Sequence, residues 1–287
     1  MPRLAYVNGR YLPHAEARVH VEDRGYQLAD GVYEVVAIVD GRFADFDGHM
    51  VRLARSLGEL AIEPPMTRQA LELVIRELVR RNGVGNGLVY LQVTRGVASR
   101  DFKFPSPKVR PSLVLTTRKV ARFATPDQLE QGVGVLTVPD IRWLRRDIKT
   151  VGLLAQALGK QKAVEAGCYE AWMVDADGLV TEGCSSNAWI VTADGVLVTR
   201  QPDHLILNGI TRLSLLRLAG ELGIPAEIRP FSVDEAYGAR EAFVSSALTF
   251  ALPVTRIDGR AVGDGKPGAL TLRLRAAYLE AVAGGAP

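Results

Sequence analysis

Cysteine is nearly absent from this chain. Cys168 and Cys184 are the two in 287 residues, too few for a disulfide framework or a four-ligand zinc set. The four histidines stand at no metal-holding spacing, so no metal is expected. A dominant charge of one sign is lacking too. A net charge of +3, with dispersed basic residues, excludes a nucleic-acid surface. No apolar run reaches the length of a membrane span, and Met1-Pro2-Arg3-Leu4-Ala5-Tyr6 has no signal-peptide core. Cytoplasmic residence without a membrane partner is the resulting expectation. Internal repeats and low-complexity stretches are missing as well. What remains, 47% hydrophobic and 23% charged residues, is the composition of a globular enzyme, long enough for two modest domains.

Taken in order, the chain mixes hairpins with helices. Asn8-Gly9 and Asp40-Gly41 are turns between strand-like runs. Asp47 is expected to cap a helix carrying Met50, Leu53, Leu57 and Leu60, and Thr67 a second with Leu71, Val74, Ile75, Leu78 and Val79 on one face. Leu88 to Thr94 and Ser112 to Thr117 read as strands around a long loop, Gly96 to Arg110. Further strands are expected at Val133 to Val138, Ala171 to Val174, Ala188 to Val191 and Phe243 to Ser246. Helices are expected at about Leu153 to Ala166, from Asn208-Gly209 to Leu222, and over Ala269 to Val282. Ser232-x-x-Glu235 has the capping-box pattern. Hairpins outnumber regular βαβ alternation, which predicts an α+β fold. The expected domains are residues 1–118, a connection at 119–131, and a larger domain at 132–287 carrying Lys149.

Lys149, in Asp147-Ile148-Lys149-Thr150, is the candidate chemical centre. A lysine amine becomes nucleophilic where burial or neighbouring cations lower its pKa. Arg145 and Arg146 precede it, and Ile148, Val151, Leu153 and Leu154 crowd it. The other lysines lie on a polar helical stretch or near prolines in loops, apart from Lys119 at the expected connection. Two other chemistries fall away. Ser185 and Ser186 lack a nearby histidine base, which excludes a serine hydrolase reading. Gly263-x-Gly265-x-x-Gly268 spells a dinucleotide fingerprint, but too little chain follows it for a second strand and a ribose-binding acid.

Asp147-Ile148-Lys149, Gly167-Cys168-Tyr169-Glu170-Ala171, Thr181-Glu182-Gly183 and Ser185-Ser186-Asn187 together resemble the class IV pyridoxal-phosphate aminotransferases. Glu22 to Gln27, Asp30 to Val36 and Asp140 to Arg145 extend the likeness in the family's order, towards its D-amino acid branch. The resemblance implies a two-domain fold type IV enzyme and a pyridoxal 5'-phosphate cofactor. It implies ping-pong transfer from a D-amino acid of the D-alanine or D-glutamate class to a 2-oxo acid, in a homodimer with shared sites. Lys149 matches the family's Schiff-base lysine, and Glu182 the acid at the pyridine nitrogen.

By the same resemblance Arg52, the backbone amides of Ile210 and Thr211, and the Thr211 hydroxyl meet the phosphate, helix N-termini being suited to anions. Where the family has a further threonine this chain has Ala247, which leaves only a backbone N–H. Tyr33 matches a substrate-facing tyrosine. Arg100 matches the arginine that reaches the substrate α-carboxylate from the partner subunit, and Phe102 stands where the family has a histidine. His49 and Arg142 match positions that support Glu182 in relatives. The alternatives are a branched-chain L-amino acid or (R)-amine transaminase, or an aminodeoxychorismate lyase, all on the same fold. A scaffold protein that has lost its chemistry is the non-enzyme alternative.

Overall fold

The computed structural model describes residues 3–284. They form two units, residues 3–121 with 148–152, and residues 122–147 with 153–284.

The first unit is built on an antiparallel sheet. β1 (Leu4–Val7) and β2 (Arg10–Pro13) turn at Asn8 and Gly9, both at positive φ, as the dipeptide predicts. A short helix α1 (Arg24–Leu28) leads to β3 (Gly31–Val39), which turns at Asp40-Gly41 into β4 (Arg42–Phe43). Helices α2 (Phe46–Glu59) and α3 (Arg68–Asn82) follow, then β5 (Gly87–Thr94) and β6 (Ser112–Lys119). The strand order is β2-β1-β6-β5-β3-β4. Met50, Leu53 and Leu57 of α2 and Leu71, Ile75 and Leu78 of α3 are buried, and they share one core with Val32, Val36, Val89, Leu91 and Val93 of the sheet. Thr67 caps α3 as expected, accepting a hydrogen bond from the Ala70 N–H. Asp47 does not cap α2. The helix starts two residues earlier, behind Asp45, and Asp47 lies in its first turn paired with Arg68.

β4 covers only the far end of β3, at Ile38 and Val39. On the same edge the first residues of β3 are covered by a segment more than 100 residues away in sequence. Thr150 bridges Val32. The Tyr33 N–H donates to Lys149 O at 3.0 Å and the Val151 N–H to Gly31 O at 3.1 Å. Unpaired strand edges are costly to bury, so 148–152 is held by the first unit. The expectation that Lys149 belongs to the second domain is corrected by this pairing.

The second unit begins with α4 (Pro126–Glu130), whose Thr125–Gln128 capping box makes a helix of what reads as plain connection. It continues through β7 (Val133–Pro139), α5 (Leu154–Glu165), β8 (Glu170–Val174), β9 (Val180–Gly183), β10 (Asn187–Val191) and β11 (Leu197–Thr199). Then come α6 (Ile210–Glu221), β12 (Ala226–Ile228), α7 (Val233–Tyr237), β13 (Glu241–Ser246), β14 (Phe250–Ile257), β15 (Arg260–Ala261) and α8 (Ala269–Gly284). The sheet order is β12-β11-β10-β13-β14-β7-β8-β9, with β15 on β14. β7 runs parallel to both β8 and β14, and α5 makes the crossover from β7 to β8. Trp172, Val180, Ile190, Val198, Phe231 and Val244 are among the residues of its core. Gly263 and Gly265, both at positive φ, make the turn before α8. Mixed hairpins and crossovers in two sheets are the α+β architecture read from the sequence. No described helix is long and apolar enough to cross a membrane.

Candidate active site

In the first unit the strand alternation sets the chemistry. Val32, Glu34 and Val36 point to the core face of β3 and are buried, so a carboxylate sits in an apolar layer. It persists because α2 brings His49 and Arg52 to it, one helical turn apart. Arg52 Nε and Nη2 donate to Glu34 Oε1 and Oε2, each at 2.8 Å, and His49 Nδ1 lies 2.8 Å from Oε2. This two-pronged grip fixes the plane of the Arg52 fork. Burial works to raise the Glu34 carboxyl, but Arg52 and then His49 hold it down at about 2. One turn further along α2, Ser56 Oγ accepts the Lys149 N–H at 3.4 Å. The His49–Arg52–Ser56 stripe therefore steadies both the buried carboxylate and the lysine backbone.

Tyr33, on the opposite face of β3, stacks on Tyr90 with ring centroids 5.6 Å apart. The Lys149 Nζ stands over the Tyr33 ring, 4.1 Å from its centroid. The two expected residues are thus brought together. Arg145 and Arg146 do not supply the bare positive charge expected of them. Arg145 is paired with Asp147, and Arg146 Nε lies 3.4 Å from Asp140.

Arg100 and Phe102 are exposed, on the Gly96–Arg110 loop, and the guanidinium lies 5.6 Å from the centre of the Phe102 ring. The loop is anchored at its base, next to Arg95, and again at Asp101, between Arg100 and Phe102. Asp30 receives Arg24 Nε and Arg95 Nε, each at 2.7 Å, and Arg24 Nη1 donates to Asp101 O at 2.6 Å.

In the second unit Glu182 lies on β9, buried, on a strand that the sequence pattern does not mark. Arg142 Nη1 donates to its Oε1, Asn187 Nδ2 to Oε2 at 3.0 Å, and the Leu207 N–H to both oxygens at 3.1 and 3.2 Å. Burial pushes the Glu182 carboxyl up, while Arg142 and the Leu207 N–H pull it back. Arg142 is itself clamped by Asp140, through Nε at 3.0 Å and Nη2 at 2.8 Å. Its expected support of Glu182 is thus direct. His49 differs: its Nδ1 partner is Glu34, not Glu182, because it sits on the α2 face that covers β3.

The start of α6 adjoins Glu182. Asn187 Nδ2 also donates to Leu207 O at 2.9 Å, and two residues on Gly209 is the N-cap of α6. A Cβ at Gly209 would fall 2.0 Å from Asn187 Oδ1, so no other residue fits there without displacing the asparagine. Gly209 provides no side-chain cap, and the N–H groups of Ile210 and Thr211 lie in the first turn, where a helix has no internal acceptors for them. Ala247 lies in the turn between β13 and β14. That turn is closed by Ser246, whose Oγ accepts from the N–H groups of Leu248 and Thr249 at 3.3 and 3.2 Å. The cofactor implied by the resemblance needs a carboxylate for its ring nitrogen and donors for its phosphate, and the uncapped helix start beside a clamped, buried glutamate fits both needs. Among the described residues no His/Cys/Asp/Glu cluster suits a metal.

Sequence reasoning missed Glu34 and Asp140 as functional positions. Glu34 had a signal, since an acid in phase with Val32 and Val36 on a strand must be buried and paired.

These features coincide with what the chain is related to. It belongs to the class IV aminotransferases, whose family model matches residues 31–257, and is therefore an aminotransferase. More particularly, it is 40% identical over 276 residues to the D-alanine aminotransferase of Bacillus licheniformis, covering 96% of this chain and 95% of that one. It is 39% identical over 273 residues to that of Staphylococcus aureus strain MSSA476, covering 95% of each. Among solved structures it resembles a branched-chain amino acid aminotransferase with pyridoxamine 5'-phosphate, from the organism abbreviated T.th. That match has a TM-score of 0.91 and 28% identity, and covers 100% of this chain and 96% of that one. A fold IV-transaminase of Curtobacterium pusillum gives a TM-score of 0.81 and 26% identity, covering 96% of this chain and 99% of that one.

Glu34 gives a pH test. Its folded value, about 2, lies below the ordinary 4.5. It therefore stabilises the fold above pH 4.5 and loses that contribution as the pH falls towards 2. The size at neutral pH is on the order of 3 kcal/mol. Urea unfolding of wild type and Glu34→Gln across this range should show the largest difference at neutral pH, shrinking below 4.5. A difference independent of pH would contradict the assignment.

Proposed function

We propose that this chain transaminates D-amino acids of the D-alanine and D-glutamate class, with a 2-oxo acid as amino acceptor and pyridoxal 5'-phosphate as cofactor. The observation that carries the substrate class is similarity over nearly the whole chain to D-alanine aminotransferases. The cofactor is supported by the fit of the Glu182 cage and the α6 start, and by family membership.

When bound, pyridoxal phosphate supplies the electron sink for the charge left when the substrate α-proton is removed. The chain's own residues do the rest. Lys149 Nζ anchors the cofactor, then takes the α-proton and returns it. Glu182, held by Arg142, Asn187 and Leu207, keeps a proton on the ring nitrogen. The N–H groups of Ile210 and Thr211, the Thr211 hydroxyl, the Arg52 guanidinium by its side turned from Glu34, and the Ala247 N–H take the phosphate oxygens. Tyr33 faces the substrate. Ping-pong turnover follows, because donor and acceptor use the same groups in turn.

The same reading makes the protein a cytoplasmic homodimer, with Arg100 and Phe102 supplied to the partner's site. Both residues are exposed on either side of Asp101, whose carbonyl is anchored by Arg24, which suits a contact made outside their own chain. Both cysteines are free, which suits a reducing compartment.

The deciding experiment assays D- and L-amino acids and primary amines against several 2-oxo acids, with product chirality measured. D-Alanine or D-glutamate should be the best donors. Strict preference for L-amino acids would replace the reading by the branched-chain alternative, and pyruvate release without an acceptor by the lyase. Lys149→Ala should lower turnover by roughly a hundredfold to ten-thousandfold or more, the range for losing a positioned proton carrier.

Phe102 cannot offer a carboxylate the charge-assisted bond of the family's histidine. The loss amounts to about 1.5–3 kcal/mol, or roughly ten- to more than a hundredfold in affinity. Phe102→His should therefore lower KM for D-alanine more than it changes turnover of amines lacking a carboxylate. An unchanged ratio would place Phe102 outside the carboxylate pocket.

Sharing of sites is read by mixing subunits. Lys149→Ala and Arg100→Ala chains, each inactive as homodimers, should regain activity when combined, since one of the two sites then holds both groups. Failure of any mixture to regain activity, with mixed dimers shown to form, would contradict the shared arrangement.

A further inference from the structure

The motif Gly167-Cys168-Tyr169-Glu170-Ala171 has so far been given no work, yet it carries one of the most deeply buried carboxylates of the second unit. Glu170, on β8, is 1% exposed. Its Oε2 accepts from Ser185 Oγ at 2.7 Å, the Ser185 N–H at 3.2 Å and Ser186 Oγ at 3.2 Å. Its Oε1 accepts from the Ala171 N–H at 3.0 Å, and Lys160 Nζ stands 3.7 Å away. Three donors from two consecutive serines thus converge on one oxygen. A carboxylate so placed costs desolvation that a purely structural position would avoid with an apolar side chain.

The serines belong to the turn that joins β9 to β10, and that turn separates Glu182 from Asn187. Its backbone is closed tightly. The Gly183 N–H donates to Ser186 O at 2.7 Å and the Cys184 N–H to Ala171 O at 3.1 Å. A Cβ at Gly183 would meet Ser186 Oγ at 2.3 Å and Glu170 Cγ at 3.2 Å, so the turn lies directly on the Glu170 side chain. Asn187, the next residue, sends Nδ2 to Glu182 Oε2.

We propose that Glu170 is a positioning residue for the ring-nitrogen acid: it pins the Cys184–Ser186 turn, and the pinned turn holds Asn187 against Glu182. Without it the serine hydroxyls lose their common acceptor. The turn loosens, and Asn187 no longer orients the oxygen it serves. This role rests on Glu182 acting as proposed above, but the pinning itself does not.

Cys184 reports on the turn from within. It is half-buried, and its thiol is pushed up to about 12 by burial and then by the Glu170 charge. In a Cys168→Ser background, thiol-reagent labelling of the full chain then reads Cys184 alone, with and without added pyridoxal phosphate. Two variants are compared. Glu170→Gln removes the charge and leaves a single neutral amide oxygen as acceptor, so the charge-assisted bonds are lost; Ser185→Ala/Ser186→Ala keeps the charge and removes two of the three donors. Both should label faster, by at least about tenfold, as for the loss of charge-assisted hydrogen bonds. Both should lower kcat more than they change KM, and alter the visible absorption of the bound cofactor.

Acceleration in Glu170→Gln alone would mean that the charge acts on the thiol and nothing is pinned, which overturns the proposal. So would faster labelling with kcat and absorption unchanged in a protein that transaminates. If the substrate assays fail to show transamination, labelling still decides whether Glu170 holds the turn.

Discussion

Much of the second unit's functional architecture follows from one constraint: a carboxylate buried on β9 must find enough donors to stay buried. Glu182 finds Arg142, Asn187 and the Leu207 N–H. Each donor recruits support in turn. Arg142, shared between Glu182 and Asp140, is oriented by Asp140, and Thr181 Oγ1 donates to that aspartate at 2.7 Å. Asn187 requires glycine at 209, and glycine there leaves the start of α6 without a side-chain cap. The uncapped helix end, an anion site by its electrostatics, is thus a geometric consequence of how the acid is held. A methyl group at position 209 would disturb two requirements of the chemistry together.

The first unit solves the same problem with different parts. Glu34 is paired by a guanidinium and an imidazole from one helix face, and the next turn of that face carries Ser56 to the lysine backbone. Removing either partner of such a buried pair strands the other, which costs more than the pair contributes. The placement of Lys149 thus rests on strand pairing with β3 and on a helix held to β3 by a buried ion pair. That is a stiff support for a group whose proposed task is to move a proton over a short path. The tyrosine under its amine belongs to the same strand, and the hydrogen bond from the Tyr33 N–H to Lys149 O sets their spacing.

Local patterns in the sequence announced most of the elements, because their causes are local. Turn dipeptides, the Thr67 cap and apolar periodicity each act within a few residues. What escaped them depends on distant partners. Nothing near Lys149 shows that its segment completes the edge of β3, and its hydrophobic neighbours fit a helix start equally well. β9 is only four residues long, and nothing in its Val-Thr-Glu-Gly announces a strand; pairing with Trp172 and Val174 makes it one. His49 matched a family position, but its actual partner depends on the register between α2 and β3. Arg145 and Arg146 show the limit of charge counting from the other side: the acids that compensate them, Asp147 and Asp140, lie two and six residues away, and counting the cations alone passed over them.

The Gly96–Arg110 loop carries this reasoning to the substrate. Exposing two aromatic rings, Phe102 and Phe104, is unfavourable by the same burial energetics that build the cores. Phe104 is partly accommodated, because Arg95 lies 3.5 Å from its ring centre while also gripping Asp30. Phe102 has the Arg100 guanidinium at 5.6 Å from its ring centre, and it remains 81% exposed. An apolar group held at the tip of an anchored loop loses little conformational freedom on docking, since the anchor has already limited the loop. The exposed ring and the arginine beside it suit the contact that the proposed homodimer assigns to them. In the proposed homodimer the partner provides it, and the Arg24–Asp30–Arg95 anchor then fixes how far Arg100 reaches towards a substrate carboxylate.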